Sequence, residues 1–133
     1  MHKAFRRMIL FTALLVALSG SSYAQESKNI NVKFAKGKTS RTYSDAVARS
    51  VNTYYLRAKR GQTLIVKISS DGDVARFHIG KVRPGNRNEN AIKFIDDGDL
   101  TTYTDKIDTD DEIAIPVGAI RGGTSYKLTI TIK

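Results

Sequence analysis

The chain has no cysteine and no tryptophan, only two prolines, and two histidines of which one lies at position 2. Each scarcity closes off a class of protein. Without cysteine there is no disulfide framework, no lipid carried on a thiol, no thiolate nucleophile and no Cys/His zinc centre. With His78 the one histidine beyond the N-terminus, and no G-x-S-x-G elbow, neither a Cys/His pair nor an elbow-type triad can be argued. No apolar run reaches the roughly 20 residues that a membrane-spanning helix needs. Nor does any segment sustain a 3.6-residue apolar period; SDAVARSVN comes nearest and predicts a turn of helix at most.

What is present begins with an export signal. Lys3, Arg6 and Arg7 precede the apolar run Met8 to Leu18, and SGSSYA follows with small residues at Ser22 and Ala24. That order predicts a signal peptide over 1–24, cleaved to leave a mature chain over 25–133 that begins at Gln25. The remaining 109 of the 133 residues suffice for one domain with one core. The expected location is the periplasm, with no membrane insertion after cleavage.

Period-two patterns dominate the mature chain. NINVKF sets Ile30, Val32 and Phe34 on one face; Leu64, Val66 and Ile68 alternate with Thr63, Ile65 and Lys67; Tyr126, Leu128, Ile130 and Ile132 alternate to the end. VARFHIG, AIKFI, LTTYT and EIAIPV are further short runs, separated by DGD, RPGNRNEN, DDGD and RGG. AKGKTSRTYSD reads as a polar connection. NTYYLRAKRGQTLIVKIS predicts a β-hairpin turning at Gly61 with a solvated Lys59-Arg60 tip. Pro84 marks a turn and Pro116 an edge or bulge. The fold class is therefore all-β: a single antiparallel β-sandwich, or flattened barrel, of about eight short strands.

Charge is unevenly spread. Removing the three basic signal residues from the net +9 leaves +6. From Gln25 to Ile95 there are 15 Lys/Arg against 5 acids, and from Asp96 to Glu112 there are 8 acids against Lys106 alone. A polarised molecule with one strongly basic surface follows. For an exported protein the anionic partners would be envelope polymers or a protein with an acidic cleft rather than nucleic acid. Asp96, Asp97, Asp99, Asp108, Asp110, Asp111 and Glu112 supply hard oxygens of the kind calcium takes, but their spacing fits no EF-hand loop. Nothing fixes a carboxylate pair at a catalytic separation either, and no cofactor is implied.

KNINVKFAKGKTS, TYS, NTYYLRAKRGQTLIVKIS and the terminal SYKLTITIK together carry a likeness: the chain resembles the periplasmic inhibitors of g-type (goose-type) lysozyme. The likeness covers the first half of the mature domain and the last strand, and is looser from Val74 to Gly123. It implies a β-sandwich without enzymatic activity or cofactor that occludes the cleft of a g-type lysozyme and so protects peptidoglycan. It also implies two contact loops. In the first, SDAVARSVN, the family's tyrosine is matched by Arg49 or Ser50. In the second, PVGAIRGGTS, Arg121 takes the place of the family's arginines. The alternative is an envelope-binding module for glycan or anionic polymer, which would use an open aromatic face with Tyr43, Tyr55 and Tyr103 as candidates. Sheet edges in such a fold allow a dimer without demanding one.

Overall fold

A computed structural model describes residues 26–133; the expected signal peptide lies outside the described residues. Nine strands run through them: β1 (Lys28–Asn31), β2 (Ser40–Ala48), β3 (Asn52–Leu56), β4 (Thr63–Ser70), β5 (Ala75–Val82), β6 (Lys93–Leu100), β7 (Thr102–Lys106), β8 (Glu112–Ala119) and β9 (Gly123–Ile132). They form a five-stranded sheet in the order β1-β3-β8-β5-β6 and a four-stranded sheet in the order β2-β9-β4-β7. The two pack face to face as an open sandwich, as the strand pattern predicts, with one parallel pair, β1 with β3.

Almost every connection crosses from one sheet to the other, and β5 with β6 are the one sequential pair that share a ladder. The predicted hairpin is therefore absent. β3 pairs with β1 and β8 in the five-stranded sheet, whereas β4 pairs with β7 and β9 in the other. The reason lies in burial. All five residues of β3 are buried, so both its faces are covered, unlike a hairpin arm with one face in water. Tyr54 enters the main core, while Tyr55 lies on the outer side with Val82, Ala114 and Ile92, its ring 4.4 Å beneath the Arg87 guanidinium. Gly61, at φ 92°, turns the crossover loop rather than a hairpin. The Arg60 tip is not merely solvated: it meets Asp108 at 2.9 Å and Asp110 at 3.4 Å.

Three other expectations are revised. The segment read as polar connection and helical turn is largely the nine-residue strand β2, whose outward Ser and Thr look like loop residues but serve an exposed sheet face. DDGD does not separate strands; β6 runs through it, with Gly98 N donating to Asp96 Oδ1 and shifts of register against β5. Pro116 sits in β8, the central strand, and the β5–β8 register has a gap at its level, between Phe77↔Val117 and Gly80↔Ala114. A ladder already open there loses nothing to a residue without an N–H.

The core contains Val47, Leu64, Val66, Phe77, Ile79, Ile115, Leu128 and Ile130, none more than 1% exposed. Set into it is a polar bridge between the sheets. Tyr54 and Tyr126 hydroxyls lie 2.6 Å apart, and Asn52 Nδ2 donates to Tyr126 Oη at 3.0 Å and to Ala46 O at 3.2 Å. Burial first, then the bond to Tyr126, raises the Tyr54 pKa far above its usual value, and burial raises that of Tyr126.

Two outcomes follow. An unfolded tyrosine ionises near about pH 10, so above that pH the unfolded chain sheds protons that the folded one keeps, and stability falls as pH rises. Thermal unfolding from pH 8 to 11 should show Tm dropping from about pH 10, and Tyr54→Phe should flatten the drop. Tyr126→Phe strips Asn52 and Tyr54 of their shared partner and should cost about 1–3 kcal/mol in urea unfolding, with m unchanged.

Candidate functional site at the turn end

The registers bring four turns to one end of the sandwich. Ala48 pairs with Gly123, Asn52 with Val117, Ala75 with Ala119 and Ser70 with Tyr126. The turns 49–51, 71–74 and 120–122 therefore lie together, with Thr101 joining β6 to β7 nearby. Ile120 N donates to Val74 O at 2.9 Å, tying two of them, and Ser70 Oγ accepts from Val74 N and Ala75 N at 3.1 and 2.9 Å.

Arg49 makes the reversal from β2 to β3 in the left-handed region, at φ 56°. A non-glycine residue is held there at a cost of about 1–2 kcal/mol, which the surrounding bonds offset. Ser50 supplies one: it is buried, and its Oγ accepts from Ala48 N at 3.2 Å. Val51 N donates to Ser27 Oγ at 3.1 Å. On the neighbouring turn Gly122 has φ 55°, and Gly123 is packed so closely that a Cβ would lie 2.9 Å from both Ala48 Cβ and Val47 O. That close approach sets the two turns side by side.

Arg49 and Arg121 are both exposed on these adjacent turns, and neither makes an ion pair among the described residues. Ser50 points inward and holds the turn. Val51 and Ile120, 37% and 49% exposed, add aliphatic surface on the same turns. Neither was singled out from the sequence, although apolar residues flanking a basic turn are a readable signal. The two turns present exposed guanidiniums and aliphatic side chains, groups suited to entering a cleft.

The other candidates disperse. The acids do not converge: Asp96, Asp97 and Asp99 lie on β6, whereas Asp108 and Asp110 engage Arg60 at the opposite end. Glu112 is buried between Arg57 (3.6 Å) and Arg87 (3.1 Å), the latter an ion pair without hydrogen-bond alignment. Among the described residues no three His, Cys, Asp or Glu gather as a metal set. His78 Nδ1 lies 2.7 Å from Gly98 O and its ring meets Phe94 edge-on at 5.7 Å. The proposed aromatic face does not exist: Tyr55 is buried, and Tyr43 and Tyr103 pack toward the core from β2 and β7, the opposite edges of the four-stranded sheet.

These features define a small β-sandwich that presents two exposed arginines on adjacent turns at one end. No family model matches the chain. It is 32% identical over 117 residues to the inhibitor of g-type lysozyme of Escherichia coli strain K12, covering 86% of this chain and 74% of that protein. The crystal structure of Aeromonas hydrophila PliG, a periplasmic lysozyme inhibitor of g-type lysozyme, superposes with a TM-score of 0.67 at 24% identity, over 82% of this chain and all of that one. A mutant of the Escherichia coli PliG gives 0.58 at 25% identity, over 80% and 99%. The chain belongs to the family of inhibitors of g-type lysozyme.

Gly123→Ala should force β2 and β9 apart and cost about 1–3 kcal/mol in chemical denaturation. Gly118→Ala, where the nearest atom to an added Cβ is Ser50 O at 3.9 Å, should be close to neutral in the same measurement.

Proposed function

We propose that this chain is a periplasmic inhibitor of g-type lysozyme that sets its turn end into the enzyme's substrate cleft, with Arg121 and Arg49 as the principal contacts. Family membership supports the target. The observation that carries the site is the pairing of two exposed arginines on adjacent turns, neither engaged by a carboxylate among the described residues.

A glycosidase cleft carries carboxylates for acid–base work. A guanidinium entering it can bond a carboxylate bidentately while the surrounding turn excludes water and substrate. Since neither arginine must first break an internal ion pair, more of the contact energy is available for binding. The constraint on Arg49 at φ 56° and the Ala48–Gly123 contact act in the same direction, because a preorganised turn loses little entropy on docking. Ser50 contributes by holding that turn through its hydroxyl, so its role at the interface is positional.

The test is lysis of peptidoglycan by g-type, chicken-type and invertebrate-type lysozymes with and without the protein. Selective loss of g-type lysis is expected. Arg121→Ala and Arg49→Ala should each weaken inhibition by about tenfold or more, the loss of over about 1.4 kcal/mol typical of a buried arginine contact, while Lys36→Ala should not. Unimpeded g-type lysis, or full inhibition by the Arg49→Ala/Arg121→Ala double variant, would contradict the proposal.

A further inference from the structure

The outer faces of the two sheets differ. That of the five-stranded sheet is partly covered, since Tyr55, Val82 and Ala114 are sealed by Ile92 and Arg87 from the 83–92 connection. That of the four-stranded sheet has no such cover among the described residues. Sixteen side chains alternate with the core residues along β2, β9, β4 and β7 and face outward. Ten of them are serine or threonine, three are lysine (Lys67, Lys106 and Lys127), and the remaining three are Ala46, Ala48 and Ile65. None of the chain's thirteen Asp and Glu is among them. An ordinary soluble surface intersperses both signs of charge, so a sheet face of this extent with cations alone calls for a reason.

The hydroxyls are organised in rows. Ser40 Oγ bonds Thr131 Oγ1 and Thr42 Oγ1 bonds Thr129 Oγ1, each at 2.9 Å. Rows repeat at about 4.8 Å across the strands and about 7 Å along them. Two open troughs flank Lys127, one by Ser44, Ser69 and Ser125, the other by Lys67, Thr102 and Thr129. Asp45 and Asp71 also line the first trough and Asp73 the second; Asp45 is engaged by Lys28 at 3.1 Å and Asp73 by Arg76 at 3.4 Å. None of the three lysines makes an ion pair among the described residues.

From this we infer a second binding surface, distinct from the turn end: the outer face of the four-stranded sheet takes an anionic polysaccharide. The lysines attract carboxylate or phosphate groups, and the hydroxyl rows, each group both donor and acceptor, match sugar hydroxyls. The face carries no aromatic ring, so it lacks the stacking platform that single-stranded nucleic acid needs. Ile65 is its one large aliphatic side chain, too little apolar surface to enter a bilayer. An inhibitor held on a wall glycan by this face would keep its turn end free for the enzyme.

The experiment measures binding of the purified protein to immobilised polygalacturonate and dextran sulfate, with neutral dextran and polyglutamate as controls. Saturable, salt-sensitive binding to the two anionic glycans is expected, weaker to polyglutamate and absent on neutral dextran. Lys67→Gln/Lys127→Gln should weaken glycan binding by about tenfold, while Lys36→Gln/Lys38→Gln, equal in charge but elsewhere, should change it by less than about threefold. Thr42→Val/Thr129→Val keeps the β-branched shape, removes a hydroxyl pair, and should lower glycan binding but not polyglutamate binding. All these variants should inhibit g-type lysozyme as the unsubstituted chain does. Equal losses in the two lysine pairs, or polyglutamate bound as tightly as the glycans, would overturn the inference, as would no glycan binding by the unsubstituted chain.

Discussion

The β2–β9 ladder is the constraint on which the rest depends. It pairs nine residues, from Ser40↔Thr131 to Ala48↔Gly123, and it joins elements far apart in sequence. Its inner side supplies Val47, Tyr126, Leu128 and Ile130 to the core, and its outer side supplies hydroxyl rows. Where it ends, at a backbone approach that only glycine permits, the turns of Arg49 and Arg121 leave together. The spacing of the two arginines is thus a property of a sheet register rather than of two flexible loops, which is how rigid elements make a site precise.

The two ends of the sandwich treat their arginines differently. At the end away from the turns, Arg57 and Arg87 flank the buried Glu112, and Arg60 clasps Asp108 and Asp110. These pairs tie the crossover loop and the 83–92 connection to the strand entering β8. At the turn end, Arg76 meets Asp73, while Arg49 and Arg121 are exposed and make no ion pair among the described residues. A buried carboxylate deprived of its partner is strongly destabilising, so the paired arginines belong to the fold. An exposed, unpaired arginine contributes little to stability and is free to serve recognition.

Much of this could be read from the sequence where one face of a strand is wet. β4 and β9 announce themselves by alternation, and their inward residues are those of the core. Partnership could not be read, because a period of two says which way a side chain points and nothing about which strand lies beside it. β3 shows that limit: Thr53 and Tyr55 alternate with Tyr54 and would face water in a hairpin arm, yet Tyr55 is roofed by Arg87, and Asn52, on the face of Tyr54, bonds Tyr126. DDGD resembles a turn, but an edge strand tolerates charges and a bulge in water. Arg49 and Arg121 emerged from likeness to a family, and no local pattern marks them. Their proximity is a consequence of the long-range ladder, beyond the reach of local spacing.

Whether the turn end meets the enzyme can be read from hydrogen exchange on the complex with a g-type lysozyme. Protection gained over 49–51, 71–74 and 120–122, with the outer face of the four-stranded sheet and the 107–111 loop unchanged, is the expected result. Protection centred on that outer face or that loop, with the three turns exchanging as they do in the free protein, would contradict it.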